Sequence, residues 1–129
     1  THVSRPQADA RERRLESNTR LLYHQTSPEA AKAIMQSGKM MRGSTGLAGG
    51  GIYFAETKAH TDHKALHHGP VLECSVRLGN VKVLPAHGDA SITFASLLQD
   101  GYDSVLINRV NGREYVVYNF DQVTPLRTL

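Results

Sequence analysis

Residues 43–56 read Gly-Ser-Thr-Gly-Leu-Ala-Gly-Gly-Gly-Ile-Tyr-Phe-Ala-Glu, a glycine-rich loop running straight into a short apolar and aromatic strand, Ile52-Tyr53-Phe54. The order matters. A dinucleotide-binding fingerprint joins a strand to a helix, whereas this loop precedes a strand. A phosphate-binding P-loop also needs a lysine, and none stands here. The segment therefore matches neither nucleotide-binding motif. Its glycines let the backbone approach a ligand closely, or simply give the loop freedom.

Working outward, Leu21-Leu22-Tyr23-His24 reads as a strand. Ser27 can cap a helix that has Pro28 in its first turn and stops near Gly38. After the central strand, Thr57 is placed to cap a second helix ending near Gly69. Val71–Leu78 and Val81–Leu84 read as strands joined at Gly79-Asn80. Asp89 can cap a third helix, Ser91–Gln99, ending before Gly101. Ser104–Asn108 and Glu114–Phe120 read as strands meeting at Asn111-Gly112, a strong hairpin signal. Short strands and helices in mixed order predict an α+β fold, with mostly antiparallel sheets and flanking helices. Residues 4–18 alternate charges without an apolar stripe, so residues 1–19 are expected to form an exposed, partly helical lead-in. Residues 20–129 then form one domain.

A chain of 129 residues can bury a real core without cross-links, and its single cysteine, Cys74, allows no internal disulfide. Cys74 is expected to be a small buried strand residue. No apolar run approaches the roughly 20 residues of a membrane span, and no membrane partner is expected. A chain that begins at Thr1 is compatible with a piece of a longer protein. The formal charge of +3 is a weak attraction for polyanions.

Three segments place a chemically unusual residue at a strand end or start: His24, Tyr53 and Glu114. Each singly has a structural reading, as a satisfied core histidine, a packed ring and a solvated acid. His60, His63 and His67 are spaced to share one face of a regular helix, which suits zinc or copper. A solvated polar face is the commoner origin of such a pattern, and H-E-x-x-H is absent.

The wording around the three residues adds more. Leu22-Tyr23-His24-Gln25-Thr26-Ser27, Gly50-Gly51-Ile52-Tyr53-Phe54-Ala55-Glu56 and Arg113-Glu114-Tyr115-Val116-Val117-Tyr118-Asn119 resemble, in order, the three motifs of the poly(ADP-ribose) polymerase-like ADP-ribosyltransferases of the His-Tyr-Glu type. The second motif is the most specific, and together they span Leu21 to about Val123. The resemblance implies a fold of split antiparallel β-sheets that grips NAD+ as substrate and needs no metal. It implies that residues 20–129 are the catalytic domain.

By the same resemblance, His24 binds a hydroxyl of the adenosine ribose, Tyr53 stacks on nicotinamide, and Glu114 accepts from the 2′-hydroxyl of the nicotinamide ribose. Gln25, Thr26 and Gly51 fall among the residues against the dinucleotide. Gln25 replaces the family's usual glycine, where backbone groups grip the nicotinamide carboxamide, and adds bulk near the pocket. Thr61 stands where the family tends to carry a serine hydroxyl for that carboxamide. The family's second aromatic is missing, leaving His63 as the ring available there. The implied activity releases nicotinamide and passes ADP-ribose, expected as single units, to an acceptor protein or nucleic acid. An NAD+ glycohydrolase and a degenerate NAD+- or ADP-ribose-binding module are the alternatives. Gly112, two residues before Glu114, disfavours transfer to arginine. A monomer, or part of a longer chain, acting inside the cell where NAD+ is found, is the accompanying expectation.

Overall fold

The computed structural model describes residues 4–63, 68–110 and 112–129. The first element, α1 (Arg5–Glu16), is a helix without an apolar stripe. Ser4 and Gln7 close a capping box over its start, with a proline in the first turn. Ion pairs hold it in place of a greasy face. Arg11 grips Asp121 through two nitrogens at 2.7 and 2.8 Å, and Arg14 grips Asp103 through two at 2.8 Å. Leu15 is fully buried beneath them.

The remaining elements are β1 (Thr19–Gln25), α2 (Pro28–Ser37), β2 (Ile52–Ala55), a 3-10 turn (Ala59–His63), β3 (Val71–Arg77), β4 (Val81–Leu84), α3 (Phe94–Gln99), β5 (Ser104–Ile107), β6 (Glu114–Val117), a 3-10 turn (Phe120–Gln122) and β7 (Val123–Thr128). Helix α2 forms as its sequence dictates. Ser27 accepts from the Ala30 N–H, and Gly38 closes the end in the left-handed region at φ 73°.

The fold is mixed α+β with few helices and one sheet, ordered β4-β5-β6-β2-β1-β3-β7. Split sheets were expected; the strands instead form one continuous sheet with a thin seam. Along β1 every residue from Thr19 to Gln25 pairs with β3, and along β2 every residue pairs with β6. Between β1 and β2 the register holds only at Tyr23 and Ala55. The Tyr53 carbonyl is engaged by the His24 side chain at 2.6 Å, so a side chain occupies an acceptor that a regular ladder would give to backbone.

Several local expectations are corrected. β3 and β4 do not pair; Gly79, at φ 57°, turns the chain so that β4 crosses to lie parallel to β5, the one parallel strand pair among the described residues. Helix α3 starts later than Ser91, because Thr93 and Ser96 form the capping box, while Asp89 accepts from the Ser91 N–H and hydroxyl in a local turn. Thr57 does accept from the His60 N–H, yet the residues it caps wind as a 3-10 turn rather than an α-helix. Residues 64–67, and with them His67, lie outside the described residues. The β5–β6 hairpin is real, but its register of Ile107 with Glu114 makes residues 108–113 a six-residue loop. Asn111 lies outside the described residues. β6 ends at Val117, short of Phe120, because the chain turns at Phe120–Gln122 into β7.

Apolar residues cover both faces of the sheet. Leu22, Phe54, Leu72, Val76 and Tyr115 belong to one cluster, and Val105, Ile107, Val116 and Tyr118 to the other. Cys74 sits in the first, and burial pushes its thiol up to about 12, so it packs as a small neutral group.

Candidate functional site

Side chains along a strand alternate between faces. Tyr53 pairs with Val116, and Ala55 with Glu114, so Tyr53 and Glu114 share one face of the sheet. Across the seam, β1 brings His24 to the Tyr53 backbone. Around this junction lies a cleft of about 590 Å³. His24, Gln25, Thr26, Gly51, Tyr53, Thr61 and Glu114 all line it. Of the residues singled out from the sequence for ligand binding, only the His63 side chain lies outside the described residues.

His24 sits part-buried at the seam. Desolvation lowers its pKa below the ordinary value, and the hydrogen bond to the Tyr53 carbonyl opposes that shift without overcoming it. The imidazole is therefore neutral near pH 7. A carbonyl can only accept, so Nδ1 carries the proton and Nε2 is left as an acceptor. Phe54 meets the ring edge-on at 5.8 Å and 60°, fixing its plane.

The Tyr53 hydroxyl reaches back into the glycine-rich loop. It donates to the Gly49 carbonyl at 2.6 Å and accepts from the Ala48 N–H at 2.9 Å. Burial is the main reason its pKa is raised. The loop lies so close that a Cβ at Gly46 would run into the Tyr53 hydroxyl. Gly51 is similarly confined, between the Val116 side chain and the Val117 carbonyl. At these two positions glycine is demanded by close approach.

Gln25 does not project free bulk into the cleft. Its carboxamide nitrogen donates to Thr61 Oγ1 at 3.0 Å and Asp62 Oδ1 at 2.6 Å. Its oxygen accepts from the Gly69 N–H at 3.2 Å and His68 Nδ1 at 3.1 Å. The side chain thus straps β1 to the 3-10 turn and to the segment that leads into β3. The Thr61 hydroxyl, 2% exposed as a residue, donates to the Lys58 carbonyl at 2.6 Å.

Glu114 opens β6 and is 3% exposed. A buried carboxylate needs a partner, and Arg109 supplies it through Nη1 at 2.9 Å. Arg109 also lines the cleft, and sequence reading missed it. Its only signal is position: five residues before Glu114, in a loop whose register brings it back onto the strand. Glu56 is separate. Alternation puts it on the opposite face, where Arg113 foremost, and Arg20, hold its carboxyl below the usual range.

The chain is similar to a poly(ADP-ribose) polymerase-like protein. The relative is named "Putative poly [ADP-ribose] polymerase-like 100L", from Invertebrate iridescent virus 6. The two are 31% identical over 119 residues, which covers 81% of this chain and 66% of the relative. The chain thus spans just under two thirds of the polymerase-like relative's length. No family profile matches the chain. Among the described residues no group of three His, Cys, Asp or Glu side chains is placed to hold a metal ion.

Proposed function

We propose that the cleft binds NAD+ and that the chain is an ADP-ribosyltransferase of the His-Tyr-Glu type. The observation that carries this reading is the convergence of His24, Tyr53 and Glu114, from three separate motif-like segments, on one cleft. The likeness to a polymerase-like relative points the same way.

Each residue has a task its surroundings suit. The bare Nε2 of His24 accepts from a hydroxyl of the adenosine ribose, so the imidazole orients substrate without moving a proton. Tyr53, with its hydroxyl tied down, offers its ring to nicotinamide. Glu114 accepts from the 2′-hydroxyl of the nicotinamide ribose and faces the cation that develops when the carbon–nitrogen glycosidic bond breaks. The bonding pair leaves with nicotinamide, and an acceptor nucleophile attacks the same ribose carbon. A fixed carboxylate in a largely dry site is worth most at that moment. The strap from Gln25 to Thr61 takes over part of the polar lining used elsewhere in the family, so the carboxamide grip falls mainly on the β1 backbone.

The test is incubation with labelled NAD+, following nicotinamide release and mass spectrometry of protein and nucleic acid present. Label on a macromolecule supports transfer. Nicotinamide with free ADP-ribose alone makes the chain a glycohydrolase. No turnover with measurable NAD+ binding makes it a binding module, and neither turnover nor binding overturns the reading.

A further inference from the structure

Among the described residues seven arginines pair with a carboxylate, and four of them, Arg20, Arg77, Arg109 and Arg127, do so through one nitrogen; of these only Arg109 lines the cleft. Arg11, Arg14 and Arg113 each place two nitrogens on both oxygens of their acid. That fork-to-fork geometry commits two of the guanidinium nitrogens to the acid. Arg109 uses Nη1 alone, on Glu114 Oε2. Its Nη2 and Nε have no hydrogen-bond partner among the described residues, and neither is fully buried. The side chain is 35% exposed and lines the cleft.

Charge sharpens the point. Among the described residues lining the cleft, Arg109 is the only Lys or Arg and Glu114 the only acid. His24 is neutral near pH 7. The Glu114–Arg109 pair therefore leaves the cleft without net charge. NAD+ carries two negative charges on its diphosphate, and a site that takes it must meet those charges with something.

We propose that Arg109 is a substrate-binding residue, its guanidinium bridging Glu114 on one edge and the diphosphate of the bound dinucleotide on the other. The proposal rests on the reading of the cleft as an NAD+ site. An arginine has five N–H donors in a planar fork, and one suffices for Glu114. The free edge suits phosphate oxygens. Its place on the 108–113 loop, rather than in a strand, lets the guanidinium adjust as substrate enters. The same residue would then fix the carboxylate that faces the scissile bond and locate the anionic half of the substrate, tying the two in register.

Calorimetry with three ligands tests this: NAD+, inorganic pyrophosphate and the neutral nicotinamide analogue benzamide. Arg109→Met should weaken NAD+ and pyrophosphate at least tenfold, while benzamide stays within about twofold, since a charge-assisted contact commonly accounts for such a factor. Arg109→Lys should recover part of the anion affinity. Loss of salt dependence in Arg109→Met should accompany the change. R109M/E114Q, neutral at both positions, carries the same comparison if the single variant fails to fold. Equal weakening of benzamide and pyrophosphate overturns the proposal in favour of a structural role, and unchanged pyrophosphate affinity overturns it outright. If the wild-type chain binds pyrophosphate through Arg109 but never NAD+, the anion site stands and the NAD+ reading falls.

Discussion

Replacing Glu114 with glutamine keeps the shape of the side chain and one acceptor oxygen and removes its charge. With an effective dielectric of about 20, a carboxylate about 4 Å from a developing unit cation stabilises it by about 4 kcal/mol. Arg109, on the far side of Glu114, would stand about 7 Å from that cation and return about 2.4 kcal/mol as repulsion. That repulsion acts in wild type and variant alike and cancels in the comparison, so the loss in the variant is about 4 kcal/mol, roughly 1,000-fold in rate. The expected result is therefore a fall of roughly that size in turnover, measured by nicotinamide release at saturating NAD+. NAD+ affinity should not fall by more than about threefold, because the ground-state ribose lacks the charge that Glu114 answers. A folded Glu114→Gln protein that turns over within about threefold of the wild type would refute the electrostatic role, since so small a change is well under 1 kcal/mol.

Tyr53→Phe removes the hydroxyl shared by Ala48 and Gly49. Two neutral hydrogen bonds at about 1 kcal/mol each predict a loss of about 1–2 kcal/mol in urea unfolding, with stacking on nicotinamide retained; an unshifted midpoint would show the loop is held otherwise. His24 has a folded-state pKa below its ordinary 6.5, so the unfolded chain takes up the proton first as pH falls. Stability contributed by neutral His24 is present above about 6.5 and is lost as pH drops toward the lower folded value. Thermal melts across pH 4.5–7.5 should show a shallower decline in His24→Asn, and identical slopes would contradict the assignment. Gln25→Ala severs the strap to Thr61, Asp62 and Gly69 and should cost on the order of 2 kcal/mol, mostly from buried partners left unpaired. Benzamide affinity should fall with it, and a variant of wild-type stability would mean the strap is dispensable.

Local chemistry was the legible part of the fold. Ser27, Pro28 and Gly38 specify α2 within a dozen residues, and the apolar runs at 52–55 and 114–117 became strands because both lie in the middle of the sheet. The features that escaped reading depend on distant residues. β7 carries Pro125, Arg127 and exposed Leu126 because it is an edge strand, where the ladder tolerates such residues, and the pattern looks like a tail. β4 finds its parallel partner only after the chain has passed through α3. Helix α1 lacks an apolar stripe, and its anchor, Asp121, is 110 residues away. At the site, motif wording named residues that line one cleft. Arg109 carried no wording of its own, because its meeting with Glu114 is set by how a six-residue loop closes.

Helix α1 has a consequence for mechanics. Its side chains reach Asp103 just before β5, Arg77 at the end of β3 and Asp121 before β7. These anchors belong to the two blocks of strands that meet at the thin β1–β2 seam. The helix therefore acts as a cross-brace over a joint whose own backbone rivet is a single residue pair. Because the brace is ionic, high salt should weaken it and leave the seam more dependent on that one pair.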